Sequence, residues 1–201
     1  MNLAIFASGS GSNFSAIARK IKQDKIKVRL VILVCDQPNA FVIKRAEKAG
    51  IKAILVSRED FKNRADFEVA IIQRLKAYKI NLIALAGFMR LLSPDFVKLY
   101  RNRIINIHPS LLPAFKGASA IKDAFNCQVG STGVTVHFID EEVDHGPIIL
   151  QQEVKIKSQD TLASLEKKIH AVEHKLYPEV IKLFVGGKIK VRGRKVSIST
   201  L

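Results

Sequence analysis

Asn106 and His108 stand two residues apart at the end of the apolar run RIINI, in the stretch NIHPSLLP. Residues i and i+2 of a strand point to one face, so an amide and an imidazole project together here while Ile105 and Ile107 turn the other way. Further along, DEEVDHGPII carries Asp140, Glu141, Glu142 and Asp144, and Gly146-Pro147 constrains the chain just after the last of them. That constraint singles out Asp144 as the carboxylate held in place while its neighbours face water. A carboxylate brought to His108 stabilises the charged imidazole and raises its pKa. With Asn106 as a neutral donor beside it, the set suits acyl transfer, in which an oxyanion must be stabilised and a proton moved. Ser110 lies in SLLP and not in an elbow of the G-x-S-x-G type, so direct transfer between two bound substrates fits better than a covalent enzyme intermediate. Each residue taken singly has an ordinary reading, a satisfied strand histidine or a solvated acidic loop.

A second polar feature lies near the start of the chain. Ser8-Gly9-Ser10-Gly11-Ser12-Asn13 separates the apolar run LAIFA from FSAIARKIKQ, whose apolar residues recur at helical spacing. Backbone N–H groups of such a loop, together with a helix N-terminus, favour an anion. Three serines and an asparagine add side-chain donors, which points to a phosphate monoester. Two other readings stand beside this one. A dinucleotide loop needs a third glycine where this chain has Phe14, although Asp36 ends the next apolar run as a ribose-binding acid would. The plainest reading is a tight turn with Asn13 capping the helix.

The elements that must position these groups follow from the apolar pattern. Runs at 3–7, 28–35, 52–56, 80–86 and 103–107 are apolar throughout, and helical patterns at about 14–23, 39–49 and 59–78, with a short helix after the cap Ser93-Pro94, separate them. Such strands argue for a parallel sheet covered on both faces. The loops after the first, fourth and fifth strands emerge at the carboxyl edge of such a sheet, where ligands bind. The second half changes character. STGVTVHFID alternates, with Val134, Val136 and Phe138 on one face and Thr135, His137 and Ile139 on the other, and PIILQQEVKI can pair with it. A helix over roughly 160–184 follows, and IKVRGRKVSI reads as a small hairpin turning at Gly193.

The 201 residues suffice for one full core, and no internal repeat or linker divides them. No apolar run reaches the ~18 residues of a membrane span, and the start lacks a signal-type pattern, so a soluble cytoplasmic protein is expected. Cys35 and Cys127 lie far apart with no CxxC spacing, which suits structural thiols in a reducing compartment. Thirty-three Lys and Arg against 18 Asp and Glu give a formal net charge of +15, which favours anionic partners. These cations are spread along most helices, denser only in residues 188–195, and no interleaved aromatics accompany them. An anionic small substrate is attracted as well as a nucleic acid would be.

Taken together, SGSGSN, LAGFMRLLSP (85–94), NIHPSLLP and the D-x-x-x-D-x-G-P-I pattern of 140–148 resemble the phosphoribosylglycinamide formyltransferase family, in order and spacing, over about residues 1–185. The resemblance implies an α/β fold with a Rossmann-like, mostly parallel sheet, helices on both faces and antiparallel strands added in the C-terminal half. It implies one domain over 1–186, with a ribonucleotide phosphate-binding half (1–100) and a folate and catalytic half (101–186), followed by a basic tail (187–201). The implied activity is transfer of a formyl group from 10-formyltetrahydrofolate to the amine of glycinamide ribonucleotide in purine synthesis, with no metal. Asn106, His108 and Asp144 match the catalytic trio: Asn106 and a protonated His108 donate to the oxyanion, and Asp144 tunes His108 and takes the amine proton through water. Gly11, Ser12 and Asn13 match the phosphate loop, and Glu173 the residue that binds the glycinamide portion. Alone, Glu173 reads as a surface acid on an amphipathic helix. For the folate, the matching positions are Met89, Arg90, Leu91, Leu92, Asn106, Asp140, Glu141, Glu142, Val143 and Asp144, with Arg64 from the third helix region. Lys116 stands where the family often has proline, and residues 118–130 follow no strict pattern.

The implied partners are the two small molecules alone, with no nucleic acid and no membrane, and a monomer or homodimer. Two sibling activities use a similar core. Methionyl-tRNA formyltransferase carries a further C-terminal domain for which residues 186–201 leave no room, and formyltetrahydrofolate hydrolase a further N-terminal one, whereas this chain starts its catalytic part at Met1. A dinucleotide-dependent oxidoreductase acting through Asp36 and a basic RNA-binding module remain as readings of other classes. The isomer of Leu112-Pro113, the course of the 114–130 loop, the folate polyglutamate preference and the purpose of the tail are left open.

Overall fold

The computed structural model describes residues 1–199. They fall into two units, Met1–Ile105 and a second that starts at Asn106, with the boundary inside one strand. In the first unit, β1 (Asn2–Phe6), β2 (Arg29–Cys35), β3 (Lys52–Leu55) and β4 (Leu82–Leu85) line up in the order β3-β2-β1-β4, every pairing parallel. β1 is central, and Leu3, Ala4, Ile5 and Phe6 are completely buried, as a strand apolar on both faces must be. Four helices connect the strands: α1 (Ser12–Gln23), α2 (Phe41–Lys48), α3 (Arg64–Ala77) and α4 (Pro94–Leu99). Phe6 meets Phe88 and Phe96 edge to face, with ring centroids 5.2 and 6.4 Å apart, at the heart of this core.

Helix starts follow the expected chemistry at α4 and depart from it at α1. Ser93 accepts the Phe96 N–H and Pro94 occupies the first turn, which satisfies orphan donors there. Asn13, expected on the plainest reading to cap α1, lies inside the helix instead. The cap position belongs to Gly11, at φ 74°, and a Cβ there would sit 2.4 Å from Val42 Cγ2. Only glycine combines that left-handed backbone with so close an approach of α2.

β5 (Ile104–His108) leaves the first unit after Ile105 and brings Asn106, Ile107 and His108 into the second. There β6 (Ser131–Phe138) pairs antiparallel with β7 (Ile148–Lys155), and α5 (Ala120–Asn126) and α6 (Leu162–Val185) complete the unit with the hairpin β8 (Ile189–Arg192) and β9 (Lys195–Ile198). The α/β class, the parallel first half, the antiparallel addition and the terminal hairpin agree with the reading of the sequence. α6 begins at a capping box between Thr161 and Ser164 and buries Leu165, Ile169, Tyr177, Val180 and Ile181. No helix among the described residues is long and apolar enough to cross a membrane.

The alternating pattern of β6 does not mean one wet face, because both faces are buried. Thr135 and His137 are 0% and 1% exposed, like Val134, Val136 and Phe138. Thr135 spends its hydroxyl on the turn after β5: Oγ1 donates to Ser110 O at 2.7 Å and accepts from Leu112 N at 3.1 Å and Gln151 Nε2 at 2.8 Å. Ser110 is itself buried, donating to Ala114 O at 2.6 Å, and the Leu112-Pro113 peptide is cis.

After β6, the chain folds back through residues 139–147, with Phe138 N donating to Pro147 O at 2.9 Å. A Cβ on Gly146 would lie 1.9 Å from Phe138 O, so the backbone can close this loop only at a glycine. Gly146→Ala should therefore lower stability by at least about 2 kcal/mol through forced backbone displacement. Thermal unfolding should register this as a fall in Tm of about 4–8 °C for a chain of this size.

Candidate active site

The second unit gathers three of the expected residues around one carboxylate. β5 presents Asn106 and His108 on the same face, and the loop closed at Gly146 carries Asp144 to them with its backbone in the left-handed region, φ 48°. Asp144 Oδ2 lies 3.3 Å from His108 Nδ1 and accepts the Gly117 N–H at 2.9 Å, while Oδ1 lies 3.5 Å from Asn106 Nδ2. His108 is 4% exposed. Its second nitrogen, Nε2, is 2.8 Å from Phe115 O, and a carbonyl only accepts, so Nε2 carries a proton. Both ring nitrogens thus face oxygen acceptors, the expected Asp144 carboxylate on one side and, on the other, the Phe115 carbonyl from a segment that sequence patterns did not connect to the site. Phe115 and Gly117 act through main-chain atoms, at φ 50° and 91°, and leave no side-chain signal.

Asn106 is oriented by a residue the sequence reading placed only on a strand face. His137 Nδ1 lies 2.7 Å from Phe138 O and must be the protonated nitrogen, so the neutral ring offers Nε2 as an acceptor, 3.2 Å from Asn106 Nδ2. Burial drives the His137 pKa below its ordinary value, which keeps the ring neutral; the Phe138 carbonyl and Asp144 act in the opposite sense without overcoming it. The amide NH2 of Asn106 is therefore the end that faces His137 and Asp144. Thr135 and His137, alternating with Val134, Val136 and Phe138, were the available clue.

The rest of the acidic loop faces water as expected except at Asp140, which is half-buried and engaged. Glu141 and Glu142 are exposed and Val143 is 48% exposed, whereas Asp140 accepts the Glu142 N–H at 3.1 Å and pairs with His145 Nδ1 at 2.9 Å. Arg194, in the turn of the terminal hairpin, reaches the same carboxylate at 3.4 Å and donates to His145 O at 2.6 Å. The basic tail thus contacts the acidic loop. Glu173 is not a surface acid: it is 4% exposed on the inner side of α6, 2.9 Å from His170 Nδ1. That bond to Glu173 raises the His170 pKa.

The first unit holds the remaining candidates, at the start of α1, at the start of α3 and in the loop after β4. In the loop after β1, Arg45 Nε donates to Ser10 O at 2.8 Å and Val42 N to Gly9 O at 3.1 Å, which sets the backbone leading into Gly11, Ser12 and Asn13. In the loop after β4, Met89 and Leu91 are 68% and 67% exposed, an apolar surface at the strand end. Arg90 Nε donates to Asp36 Oδ2 at 2.7 Å. Leu92 precedes Ser93, whose N–H and hydroxyl both bond the buried carboxylate of Glu68; Arg64, half exposed, binds the same carboxylate at 3.1 Å. Asp36 is 2% exposed with both oxygens occupied by Ser8 and Arg90, which is not how a ribose-binding acid is presented. Among the described residues, no group of three or more His, Cys, Asp or Glu is arranged to hold a metal ion.

Known proteins similar to this chain point to one family. A family described as "Formyl transferase" matches residues 1–181. A curated phosphoribosylglycinamide formyltransferase from Bacillus subtilis (strain 168) is 47% identical over 96% of this chain and 97% of its own length. A trifunctional purine biosynthetic protein adenosine-3 from Bos taurus is 38% identical over 94% of this chain, which spans 19% of that longer protein. Among solved structures, glycinamide ribonucleotide transformylase 1 from Symbiobacterium toebii superposes with a TM-score of 0.96 at 40% identity, covering 100% of this chain and 94% of that one.

The neutral state of His137 has a consequence for stability against pH. Its folded pKa lies below the ordinary 6.5, so the unfolded chain takes up the proton first and stability is lost as pH falls below about 6.5. Above that, the ring is neutral in both states and contributes no such loss. In His137→Gln the titrating group is gone. Denaturant unfolding of wild type and variant at pH 7.5 and pH 5 should show any wild-type advantage shrinking at the lower pH.

Proposed function

The chain belongs to the formyl transferase family, and from that premise we infer that it transfers the formyl group of 10-formyltetrahydrofolate to the amine of glycinamide ribonucleotide, a step of purine biosynthesis. The observation that carries the reading is the convergence of an amide N–H, an imidazole and a carboxylate at Asn106, His108 and Asp144 in a chain of this family.

The substrate amine attacks the formyl carbon and the carbonyl becomes an oxyanion. Asn106 Nδ2–H stabilises that charge, and His137 supports it by holding the amide with its NH2 end inward. His108 is the second donor. Its Nδ1 faces Asp144, so the proton it can offer the oxyanion is on Nε2, and the oxyanion replaces the Phe115 carbonyl as acceptor. Asp144 takes the proton released by the amine, through water, and the folate nitrogen leaves with a proton as the carbon–nitrogen bond breaks. No side chain is acylated, in keeping with the buried, engaged hydroxyl of Ser110.

Binding roles follow the same division. Gly11, Ser12 and Asn13 hold the ribonucleotide phosphate through main-chain and side-chain donors, and buried Glu173 binds the glycinamide portion. The positions assigned to the folate are, in the first unit, Arg64, Met89, Arg90, Leu91 and Leu92 and, in the second, Asn106 and residues 140–144; the exposure of Met89 and Leu91 supports their part in this. The excess of cations favours both anionic substrates. Both cysteines are free thiols, in keeping with a cytoplasmic location.

The test mixes purified protein, 10-formyltetrahydrofolate and glycinamide ribonucleotide and follows folate absorbance. Turnover is expected only with the ribonucleotide; equal turnover with water alone would instead mark a hydrolase, and turnover with methionyl-tRNA the third member of the group. Asn106→Ala should lower kcat by about 10²–10³-fold as an oxyanion donor is lost. Asp144→Asn should lower it by about 10²–10⁴-fold through lost proton transfer. Circular dichroism of each variant checks that the fold is retained.

A further inference from the structure

Asp36 directly follows β2 and has no role in the chemistry above, yet it is among the most buried charged groups of the first unit. A carboxylate taken from water requires compensating donors, and it has them: Ser8 Oγ donates to Oδ1 at 2.6 Å, and Arg90 Nε to Oδ2 at 2.7 Å. Gln37 Nε2 adds a longer contact at 3.4 Å. Ser8 opens the loop read as the phosphate site, and Arg90 lies in the loop read as part of the folate site.

Ser8 ties the two loops together more closely still. Its hydroxyl has one hydrogen, committed to Asp36, so toward Met89 it acts as an acceptor, and the Met89 N–H donates to it at 2.9 Å. Its own N–H donates to Gly87 O at 3.0 Å. The segment after β1 and the segment after β4 are therefore joined by two direct hydrogen bonds and by one shared carboxylate. Gly87, at φ 77°, lets the second segment turn through a left-handed backbone that glycine adopts without steric cost.

We propose that Asp36 is a positioning residue that couples the two loops, so that a ribonucleotide phosphate bound beside Ser8 tightens binding of the folate at residues 89–92, and the reverse. Ordering one loop orders the other through the shared bonds, so the second ligand meets a loop already held in its binding form. Linkage makes the effect reciprocal: each ligand changes the affinity of the other by the same factor. The acid at the end of β2, in the place where a dinucleotide protein would present it to a ribose, is here turned inward to brace a substrate loop. The assignment rests on the reading of these two loops as substrate loops.

Calorimetric titration of the full chain with tetrahydrofolate, with and without saturating glycinamide ribonucleotide, tests it. The ribonucleotide should tighten tetrahydrofolate binding in the wild type by about 5-fold or more. That ratio should fall to within about twofold of unity in Asp36→Asn and in Ser8→Ala, and Ser8→Thr, which keeps the hydroxyl, should restore it. A general loss of stability weakens binding without changing the ratio, so the ratio reports positioning. A wild-type ratio of one, or an undiminished ratio in Ser8→Ala, overturns the proposal, and the serine variant decides alone if Asp36→Asn does not fold. Failure of the wild type to bind either ligand overturns the formyltransferase reading itself and is seen before any variant is compared.

Discussion

A carboxylate withdrawn from water has to be surrounded by donors, and at Asp144 that requirement shapes the second unit. The donors come from segments far apart in the chain: the Gly117 N–H from the loop after β5, His108 and Asn106 from β5 itself. Bringing them to one point takes left-handed backbone at Phe115 and Gly117 and at Asp144, and for the two non-glycine residues such backbone is unfavourable by about 1–3 kcal/mol each. The hydrogen bonds made from those positions are what hold them there. Backbone strain and buried charge thus support one another at the site where the proposed reaction needs rigid donors.

The same economy recurs one layer back. Strand β6 is buried on both faces, and two of its three buried polar side chains are spent on the turn and the amide beside it: Thr135 on Ser110, Leu112 and Gln151, His137 on Asn106; the third, the Thr132 hydroxyl, makes no hydrogen bond among the described residues. In the first unit, Asp36 and Glu68 play a like part for the segment after β4. Buried polar groups with every bond satisfied specify one arrangement, because any other leaves a donor or acceptor without a partner. Apolar packing gives these units their stability, and polar closure gives them their geometry.

For the proposed chemistry, this means that the protein contributes position and electrostatics more than reactivity. The amine is a sufficient nucleophile once deprotonated and the formyl group a sufficient electrophile. What has to be supplied is a set of fixed donors at the developing oxyanion and an acceptor for one proton, arranged before the substrates arrive. Nothing in such a scheme calls for a side-chain nucleophile, and the hydroxyl nearest in sequence, Ser110, is locked onto Ala114 O.

Much of this was legible in the sequence. Continuous apolar runs separated by helical periodicity specify a parallel α/β unit, since only burial on both faces tolerates them, and the spacing of Asn106 and His108 puts them on one face without further information. Glycine between serines, and Gly-Pro after Asp144, mark turns for local steric reasons. Contacts made through main-chain atoms, such as those of Phe115 and Gly117, carry no residue type to read. Nor does residue type distinguish a buried acid from a solvated one: Asp36 at a strand end looks like a ribose-binding carboxylate until packing places it, and the burial of Glu173 is signalled only by Ile169 and Tyr177, four residues to either side on the same helix face. The chain alone therefore determined which groups were available and which local backbone they adopt. The tertiary structure decided their partners, because whether a charge is solvated or buried and paired depends on segments distant along the chain that only folding brings into contact.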